Sequence, residues 1–256
     1  MKKNSKRGFA LLLSFALTVC MMSVVAFAGD ENNGLGKKSG TIKWNGHSCF
    51  TITSEKGTRI VTDPLADWIG YKMPDLYAEI ATVSHDHFDH NNLQAIKGDY
   101  ATVREVGEFH FNDIKINGTK TFHDTENGAL RGENIVYTYH IDGVNVCHLG
   151  DLGHELSQEQ VESIGKVDIL MIPVGDFFTM DTVTAAKVVN QLNPKIVIPM
   201  HYQTEALIPD FGLLPVDSFV GQMEGWNVVK ADTLNFSKSE IAKSKDRTIV
   251  ILNYDK

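Results

Sequence analysis

Hydrophobic and polar positions follow three different patterns along this 256-residue chain. A basic start and an unbroken apolar run occupy residues 1–28. Residues 41–149 contain short apolar or alternating runs between turn residues, which predicts β-strands. After residue 157, apolar runs of strand length alternate with helical patterns, as they do in layered α/β proteins. We therefore predict one α/β domain that follows an N-terminal segment.

The strands of the first half are predicted to form a mostly antiparallel meander. Gly46 and Gly57 mark the turns between its first three members. The predicted strands are Thr41–Trp44, Cys49–Thr53, Thr58–Val61, Ala81–Val83, Thr102–Val106, Ile114–Ile116, Lys120–Phe122, Ile135–His140 and Val144–Leu149.

The second half is predicted to contain two helices and two strands. Ser157 and Gln160 have the spacing of a capping box, so the first helix starts there and ends near Gly165. The elements that follow are a buried strand at Val167–Val174, a helix at Thr182–Leu192 and a strand at Lys195–Met200. No low-complexity linker divides this sequence, which favours a single domain over residues 41–256.

Residues 1–28 have the features of a signal peptide. Basic residues precede an apolar run from Phe9 to Phe27, and Ala26-Phe27-Ala28 supplies the small residues of a cleavage site. We therefore expect an exported protein that is extracellular, periplasmic or on the surface of a bacterium. An uncleaved membrane anchor is the alternative, because the apolar run approaches the length that spans a bilayer. Residues 29–40, with their Asn and Gly residues, predict a flexible lead-in.

Charge and cysteine content restrict the partners and the cross-links of this domain. The net charge is -8, and it becomes -12 when the four basic residues of the signal segment are removed. Such a charge disfavours non-specific binding of nucleic acid. Cys49 and Cys147 could pair in an oxidising compartment, but each lies in an apolar run, which favours free buried thiols.

The segment Ser84–His90 carries the chemistry of the chain, in the pattern H-x-H-x-D-H. Its candidate ligands are His85, His87, Asp89 and His90. Imidazole and carboxylate groups suit zinc, manganese and iron, and such short spacing lets one loop present ligands to two ions. The pattern therefore predicts a binuclear metal site.

Three further candidate ligands directly follow predicted strands. They are His123, Asp151 and His201. Loops at strand ends commonly hold functional residues, because the sheet fixes their positions. His110 is the alternative to His123, but its place between two Phe residues is typical of a packed side chain.

The order of these residues resembles the metallo-β-lactamase superfamily, whose members have H-x-H-x-D-H followed by a His, an Asp and a final His. The resemblance covers residues 41–256 and is strongest to the compact branch that includes ascorbate-6-phosphate lactonase. The strings that are similar to this branch are Trp44-Asn45-Gly46-His47, Thr62-Asp63-Pro64, Leu149-Gly150-Asp151-Leu152-Gly153-His154 and Ile198-Pro199-Met200-His201-Tyr202.

The resemblance implies an α/β fold, a four-layer αββα sandwich, that holds two divalent metal ions, with Zn²⁺ expected and Mn²⁺ or Fe²⁺ as alternatives. It implies that one ion is bound by His85, His87 and His123, the other by Asp89, His90 and His201, and that Asp151 bridges them. A hydroxide between the ions would be the nucleophile. Asp89 would orient it and is a candidate to transfer its proton to the leaving group.

Neighbouring residues receive expected roles from the same resemblance. His47 is expected at the mouth of the site, in substrate binding or a proton relay, with a surface His as the alternative. Tyr202 is a candidate donor to a developing oxyanion, with simple packing as the alternative. Asp63 is expected to support the His-rich loop from behind.

One further position differs in residue type from the related branch, and three further histidines are not expected to bind metal. Asp176 stands where the branch often has Gly. His140 and His148 are expected in the core, whereas His154 is either a support of the site or a residue at the approach to a helix.

The expected function is hydrolysis of a small ester, lactone or phosphodiester. An exported metal-binding protein without efficient turnover is the alternative. A true β-lactamase is not expected, because those enzymes usually carry Cys at the position of Asp151. Oxygen-reducing diiron relatives usually carry Glu at the position of His87, which disfavours redox chemistry.

Overall fold

Two β-sheets packed face to face form the framework of the computed structural model, which describes residues 39–72, 74–208 and 211–254. The predicted signal peptide and residues 29–38 of the predicted lead-in lie outside the described residues. Gly40, the last residue of that lead-in, already pairs with Phe236 in a strand. Within the described ranges, no helix is long and apolar enough to cross a membrane.

The strands follow one another along the chain as short segments of two to nine residues. They are β1 Gly40–Gly46, β2 Cys49–Thr53, β3 Arg59–Thr62, β4 Leu76–Tyr77, β5 Ile80–Thr82, β6 Ile96–Lys97, β7 Ala101–Val103, β8 Gly107–Phe111, β9 Ile114–Phe122, β10 Glu133–Ile141, β11 Val144–His148, β12 Ile169–Pro173, β13 Ile196–Met200, β14 Asn227–Ala231, β15 Thr233–Phe236 and β16 Thr248–Leu252.

The first sheet has the order β15-β1-β2-β3-β5-β7, and the second has the order β14-β16-β13-β12-β11-β10-β9-β8. The predicted antiparallel meander is confirmed for β1 to β3. Beyond it, β5 and β7 pair parallel to their neighbours, so the first sheet is mixed. The second sheet is also mixed, with β11, β12 and β13 parallel to one another. β4 and β6 form a separate two-stranded ribbon.

Four helices and two 3-10 turns complete the described part of the chain. They are α1 Gln158–Ile164, α2 Thr182–Leu192, α3 Asp217–Val220, α4 Lys238–Lys243 and the turns Asp67–Ile69 and Leu93–Ala95. The predicted capping box of α1 is present, since the Ser157 hydroxyl accepts from the Gln160 amide and Gln160 accepts from the Ser157 amide. Asp181 caps α2 in the same way, by accepting from the Thr184 amide.

Alternating side chains of the first sheet face two different layers. Ile60 and Ile80 lie in the large core between the sheets, whereas the next residues, Val61 and Ala81, belong to a second apolar cluster on the outer face. Ile69 of the 3-10 turn and the loop residues Leu207 and Leu213 contribute to that outer cluster. On the other side, α1 packs against β9 and β10, and α2 packs against β12. This layering is the αββα sandwich that the sequence predicts.

The structure departs from the predicted strands in the region around Gly118. The two predicted strands Ile114–Ile116 and Lys120–Phe122 are one strand, β9, which runs through that glycine. A Cβ atom at Gly118 would lie 2.7 Å from the Glu105 carbonyl oxygen, so glycine serves close packing here and does not end the strand. The edge strand β8, which pairs with β9, was absent from the prediction.

Both cysteines of the described residues are free and buried, in two different layers. Cys49 belongs to the outer cluster of the first sheet, and Cys147 lies in the core between the sheets. The prediction of two unpaired thiols is confirmed. Burial raises the pKa of each thiol to about 12.

We therefore expect Cys49 and Cys147 to resist alkylation and disulfide exchange in the folded protein at pH 8, because the reactive thiolate is scarce and shielded. An Ellman assay of a chain that begins at Gly29 tests this. No thiol should react within minutes under native conditions, and both should react in guanidinium chloride without reductant. Rapid native labelling, or the loss of two thiols in the denatured sample, would contradict the assignment.

Candidate metal centre

The predicted ligands converge at one end of the sandwich because the strands that precede them end there. His85 follows β5, His123 follows β9, Asp151 follows β11 and His201 follows β13, each within three residues of the strand. His47 occupies the turn between β1 and β2. Both sheets therefore contribute to one buried cluster.

The carboxylate of Asp151 lies at the centre of this cluster and is buried. Its Oδ2 atom is 3.1 Å from His123 Nε2, 3.2 Å from both His90 Nε2 and His201 Nε2, and 3.8 Å from His85 Nε2. Burial opposes ionisation of this group, but His201, His90 and His123 outweigh it and hold the pKa of Asp151 well below its ordinary value. The carboxyl is therefore an anion surrounded by four imidazoles.

The remaining side chains form two groups that both contact Asp151, and a third group, Asp63, His85 and His90, links them. His85, His87 and His123 form one group, and His85 Nε2 lies 3.1 Å from His87 Nδ1. The second group contains Asp89, His90 and His201 together with His47. In each group the potential ligand atoms lie within 4.8 Å of one another. All seven predicted ligands are thus brought together in one cluster.

The donor atoms and charges of the cluster fit a divalent cation. Asp151 Oδ1 and His90 Nε2 are buried without a hydrogen-bond partner among the described residues. Buried polar atoms of this kind are costly unless something satisfies them, and a metal ion would accept both lone pairs. Burial lowers the pKa of His90, but Asp151 and Asp89 raise it well above the ordinary value, so the local field favours a positive charge.

Asp63 supports the His-rich loop from behind, as predicted for this residue. Its carboxylate accepts from the Ser84 amide at 2.8 Å and from the Ser84 hydroxyl at 2.6 Å, and it contacts His90 Nδ1 at 2.9 Å. The Ser84 hydroxyl in turn lies 2.9 Å from His85 Nδ1. Asp63 therefore orients two rings, so that Nε2 of each points towards Asp151.

His47 is fully buried and contacts the second group, so it is not a surface residue. Its Nε2 atom lies 3.1 Å from Asp89 Oδ2, and its ring lies 4.0 Å from that of His201. Burial and the neighbouring His201 lower the pKa of His47 to about 4, although Asp89 opposes this shift. At neutral pH the imidazole is neutral, and Nε2–H donates to the Asp89 carboxylate.

Three residues of this site adopt backbone conformations that are unusual outside glycine. The φ angles are 51° at His47, 37° at Asp63 and 51° at His201. Such strain is concentrated at functional sites, where the surrounding structure maintains it. Here the His47 carbonyl accepts hydrogen bonds from the His201 amide and the Trp44 indole, which joins the two strained turns.

Tyr202 lies outside the cluster, in an aromatic group between the layers. It is buried, and its ring is 5.2 Å from that of Trp44, which in turn contacts Tyr71 and Tyr254. None of the contacts described for Tyr202 joins its hydroxyl to a predicted ligand. Tyr202 thus has the packing contacts that the sequence left open, and its expected role as an oxyanion donor stays a prediction.

Four other histidines are located by their hydrogen bonds. His110 is exposed on the edge strand β8 and pairs with Glu108, so it is neither a ligand nor the packed residue that was expected. His148 is buried as predicted, with Nε2 donating to the Ser48 carbonyl. His140 is only half-buried, which corrects the expected core position. His154 accepts from the Phe122 amide at 3.2 Å and so supports the end of β9 beside His123.

Two supporting residues were missed by sequence analysis. Asn134 accepts from the Asp151 amide at 3.0 Å and donates to the Leu149 carbonyl, which fixes the turn that presents Asp151. Asp124 accepts four backbone amides of residues 126–131 and holds the loop after His123. These amides lower the pKa of Asp124 to about 2, against the effect of burial. The Asp after His123 and the turn residues around it were the available signals.

The backbone geometry at position 176 explains how Asp can stand where the related branch often has Gly. Its φ angle is 59°, in the left-handed region where glycine is the usual choice and Asp is tolerated. The departure from the glycine of the related branch therefore leaves the backbone conformation intact.

Comparison with known proteins supports the class of protein that this geometry defines. Residues 41–201 match the family model of the β-lactamase superfamily domain. The chain is 37% identical to a candidate Zn-dependent hydrolase of the metallo-β-lactamase superfamily from Thermotoga maritima, with a TM-score of 0.70 over 84% of this chain and 100% of that one.

Two archaeal relatives of similar length carry related names. A UPF0173 metal-dependent hydrolase of Thermoplasma volcanium is 28% identical over 76% of this chain and 88% of its own. A UPF0173 metal-dependent hydrolase of Nanoarchaeum equitans is 28% identical over 84% of this chain and 97% of its own.

The fold and the buried cluster define a metal-dependent hydrolase. The chain belongs to the metallo-β-lactamase superfamily.

The turn before Asp151 depends on glycine at position 150. Its φ angle is 54°, and a Cβ atom would lie 2.3 Å from Asn134 Oδ1 and 2.6 Å from Ser84 Cβ. We expect Gly150→Ala to reduce the free energy of unfolding by about 2–4 kcal/mol, because it combines backbone strain with overpacking. Urea denaturation measures this loss.

Gly57→Ala is the matched control, since Gly57 also has a positive φ but has no atom within 4 Å of the added Cβ. It should cost only about 1 kcal/mol. Equal losses in the two variants would contradict the close packing around Asp151.

Proposed function

We propose that this chain is a binuclear hydrolase, with two zinc ions, that acts on a small ester, lactone or phosphodiester. The observation that carries the proposal is the position of Asp151, whose single carboxylate contacts imidazoles of both ligand groups. A bridging carboxylate of this kind is a common way to hold two cations close together. Manganese or iron could use the same His and Asp ligands.

The residues of the cluster would hold two ions in distinct environments. His85, His87 and His123 would bind one, Asp89, His90 and His201 the other, and Asp151 both. When bound, the ions would polarise the scissile carbonyl or phosphoryl oxygen and lower the pKa of a coordinated water to about 7. This chemistry needs no Ser or Cys nucleophile, and both cysteines of the described residues are buried.

Asp89 and His47 are suited to move a proton at the second group. Burial opposes ionisation of Asp89, but His90 and His47 outweigh it and lower the pKa of the carboxyl, so it is ionised at neutral pH. The hydrogen bond from His47 Nε2 fixes Asp89 Oδ2 in place. Asp89 would accept a proton during attack and return it to the leaving group, while His47 holds its orientation.

A cleft on the opposite side supports access for a small substrate. The cavity has a volume of about 540 Å³, and the His85 and His87 side of the cluster borders it. Its walls also contain Arg104, Lys120 and Arg131. Arg104 and Lys120 pair with carboxylates, whereas the guanidinium of Arg131 donates to the Phe177 carbonyl. Small-molecule sites typically have volumes in this range.

Metal content and turnover should depend together on Asp151. We expect two ions per chain in the wild type, at most one in Asp151→Ala, and a fall of more than about 100-fold in hydrolysis of bis(4-nitrophenyl) phosphate and a simple lactone. Elemental analysis and steady-state rates measure these quantities on the same samples.

Asp168→Ala is the matched control, because Asp168 is a buried carboxylate that accepts from the Asn145 amide away from the cluster. It should keep two ions and its activity. If Asp151→Ala also retained both ions and full turnover, the proposed centre would be wrong.

His47 should affect the rate without affecting metal binding. We expect His47→Asn to lower kcat by about 100-fold, because Asp89 loses the hydrogen bond that orients it, while KM and metal content change little. Asn tolerates the left-handed backbone at this position, so the turn is preserved. An unchanged kcat at full metal content would exclude the proposed role of His47 in positioning Asp89.

A further inference from the structure

Five aromatic side chains form a connected group beside the metal centre, here named the aromatic rim. Its members are Trp68, Phe88, Phe177, Phe178 and Phe211. Trp68 and Phe88 stack at a centroid distance of 4.8 Å and an angle of 20°. Phe211 contacts Phe88 at 6.4 Å and Phe178 at 6.3 Å. The rim therefore draws on four separate loops of the chain.

The rim is continuous with one side of the metal centre. The ring of Phe211 lies 5.9 Å from that of His47, and His47 contacts Asp89. Phe88 is also the residue directly before Asp89 in the His-rich loop. A group bound on the rim would therefore lie beside Asp89, the residue to which we assign proton transfer.

Much of the rim is exposed to solvent. The exposed fractions are 60% for Trp68, 50% for Phe88 and 63% for Phe177. Single exposed apolar residues are ordinary, but a connected aromatic patch at a concave functional site is typical of ligand binding. Burial of these exposed rings by an apolar ligand group would contribute favourable binding free energy, because it removes apolar surface from water.

The rim is also held in place by a cation. The Arg131 guanidinium lies 5.5 Å from the centre of the Phe178 ring and donates to the Phe177 carbonyl at 3.2 Å. These contacts connect the loop after His123 to the loop that carries two rim residues. A surface ordered in this way loses little entropy on binding.

We propose that the aromatic rim binds the leaving-group half of the substrate, and that this half is an apolar alkyl or aryl alcohol. The inference rests on the proposed hydrolase function. In ester hydrolysis the carbon–oxygen bond to the alcohol breaks, water supplies the new hydroxyl of the acid, and one proton must reach the leaving oxygen. Because Asp89 supplies that proton, the leaving group lies on the side of Asp89, which is the side of the rim.

A series of acetate esters tests the proposal, since ethanol, butanol and hexanol differ in apolar area but scarcely in acidity. We expect kcat/KM to rise about tenfold from ethyl to hexyl acetate, or about 1.8-fold for each added methylene, since each is partly removed from water. In Trp68→Ala and Phe88→Ala the ratio should fall to about two. A rise only when the acyl side is lengthened, or no rise at all, would overturn the proposal.

Tyr77→Ala is the matched control, because Tyr77 is an aromatic residue that is 47% exposed on β4 and lies outside the rim. It should keep the tenfold ratio. Metal content is measured in every variant, so that a change in the ratio is separated from a loss of ions next to Phe88. A ratio that is unchanged in both rim variants would overturn the assignment while leaving the hydrolase function in place.

A binding measurement separates the two proposals if no ester is hydrolysed. Hexan-1-ol should change the tryptophan fluorescence of the protein in a saturable way, and ethanol at the same concentration should not. The change should disappear in Trp68→Phe, which leaves Trp44 and Trp226 in place. A hexanol-induced fluorescence change that persists in Trp68→Phe would overturn the inference. A protein that binds phosphatidylcholine vesicles through Trp68 and does not bind hexanol would overturn it as well.

Discussion

The contact between the buried Asp151 carboxylate and the imidazoles around it is the interaction on which the functional end of this molecule depends. Four Nε2 atoms lie within 3.8 Å of one carboxylate oxygen, in a region that is almost closed to water. An anion in such a place is stable only when positive charge or a cation compensates it. The surrounding strands, turns and hydrogen bonds are arranged to maintain this geometry.

That geometry is produced by strand ends from both sheets and by turns that hold strained residues. Gly150 lets the backbone before Asp151 approach Ser84 and Asn134 closely. His47 and His201 both have left-handed backbones, and a hydrogen bond between their main chains joins them. Because each turn is anchored to a different strand, the cluster is preorganised by the sandwich as a whole and needs no long helix of its own.

The sequence could predict those parts of the site in which residue type and spacing determine the chemistry. The H-x-H-x-D-H pattern, the His and Asp residues after strands, and the Ser157 capping box all depend on local order along the chain. The parallel pairing of β5 and β7 and the edge strand β8 were not predictable in this way, since partners distant in sequence determine them. The position of Gly118 within a strand was not predictable for the same reason. Only the close approach of the Glu105 carbonyl, which the fold produces, distinguishes this residue from a turn glycine.

Side-chain roles were harder to predict where two environments suit the same residue type. Tyr202 follows a ligand directly, yet its ring packs on Trp44. His110 has aromatic neighbours in sequence, but they alternate along an edge strand and leave it exposed. The aromatic rim shows the converse case, because its members come from separate loops and only the fold brings them into contact.

The central claim is that two cations assemble around the Asp151 carboxylate. Anomalous diffraction at the zinc edge, from crystals of the zinc-loaded protein, tests it most directly. The account predicts two peaks about 3.5–4 Å apart, both in contact with Asp151, one beside His123 and the other beside His201. A single peak, or two peaks of which neither contacts Asp151, would contradict it.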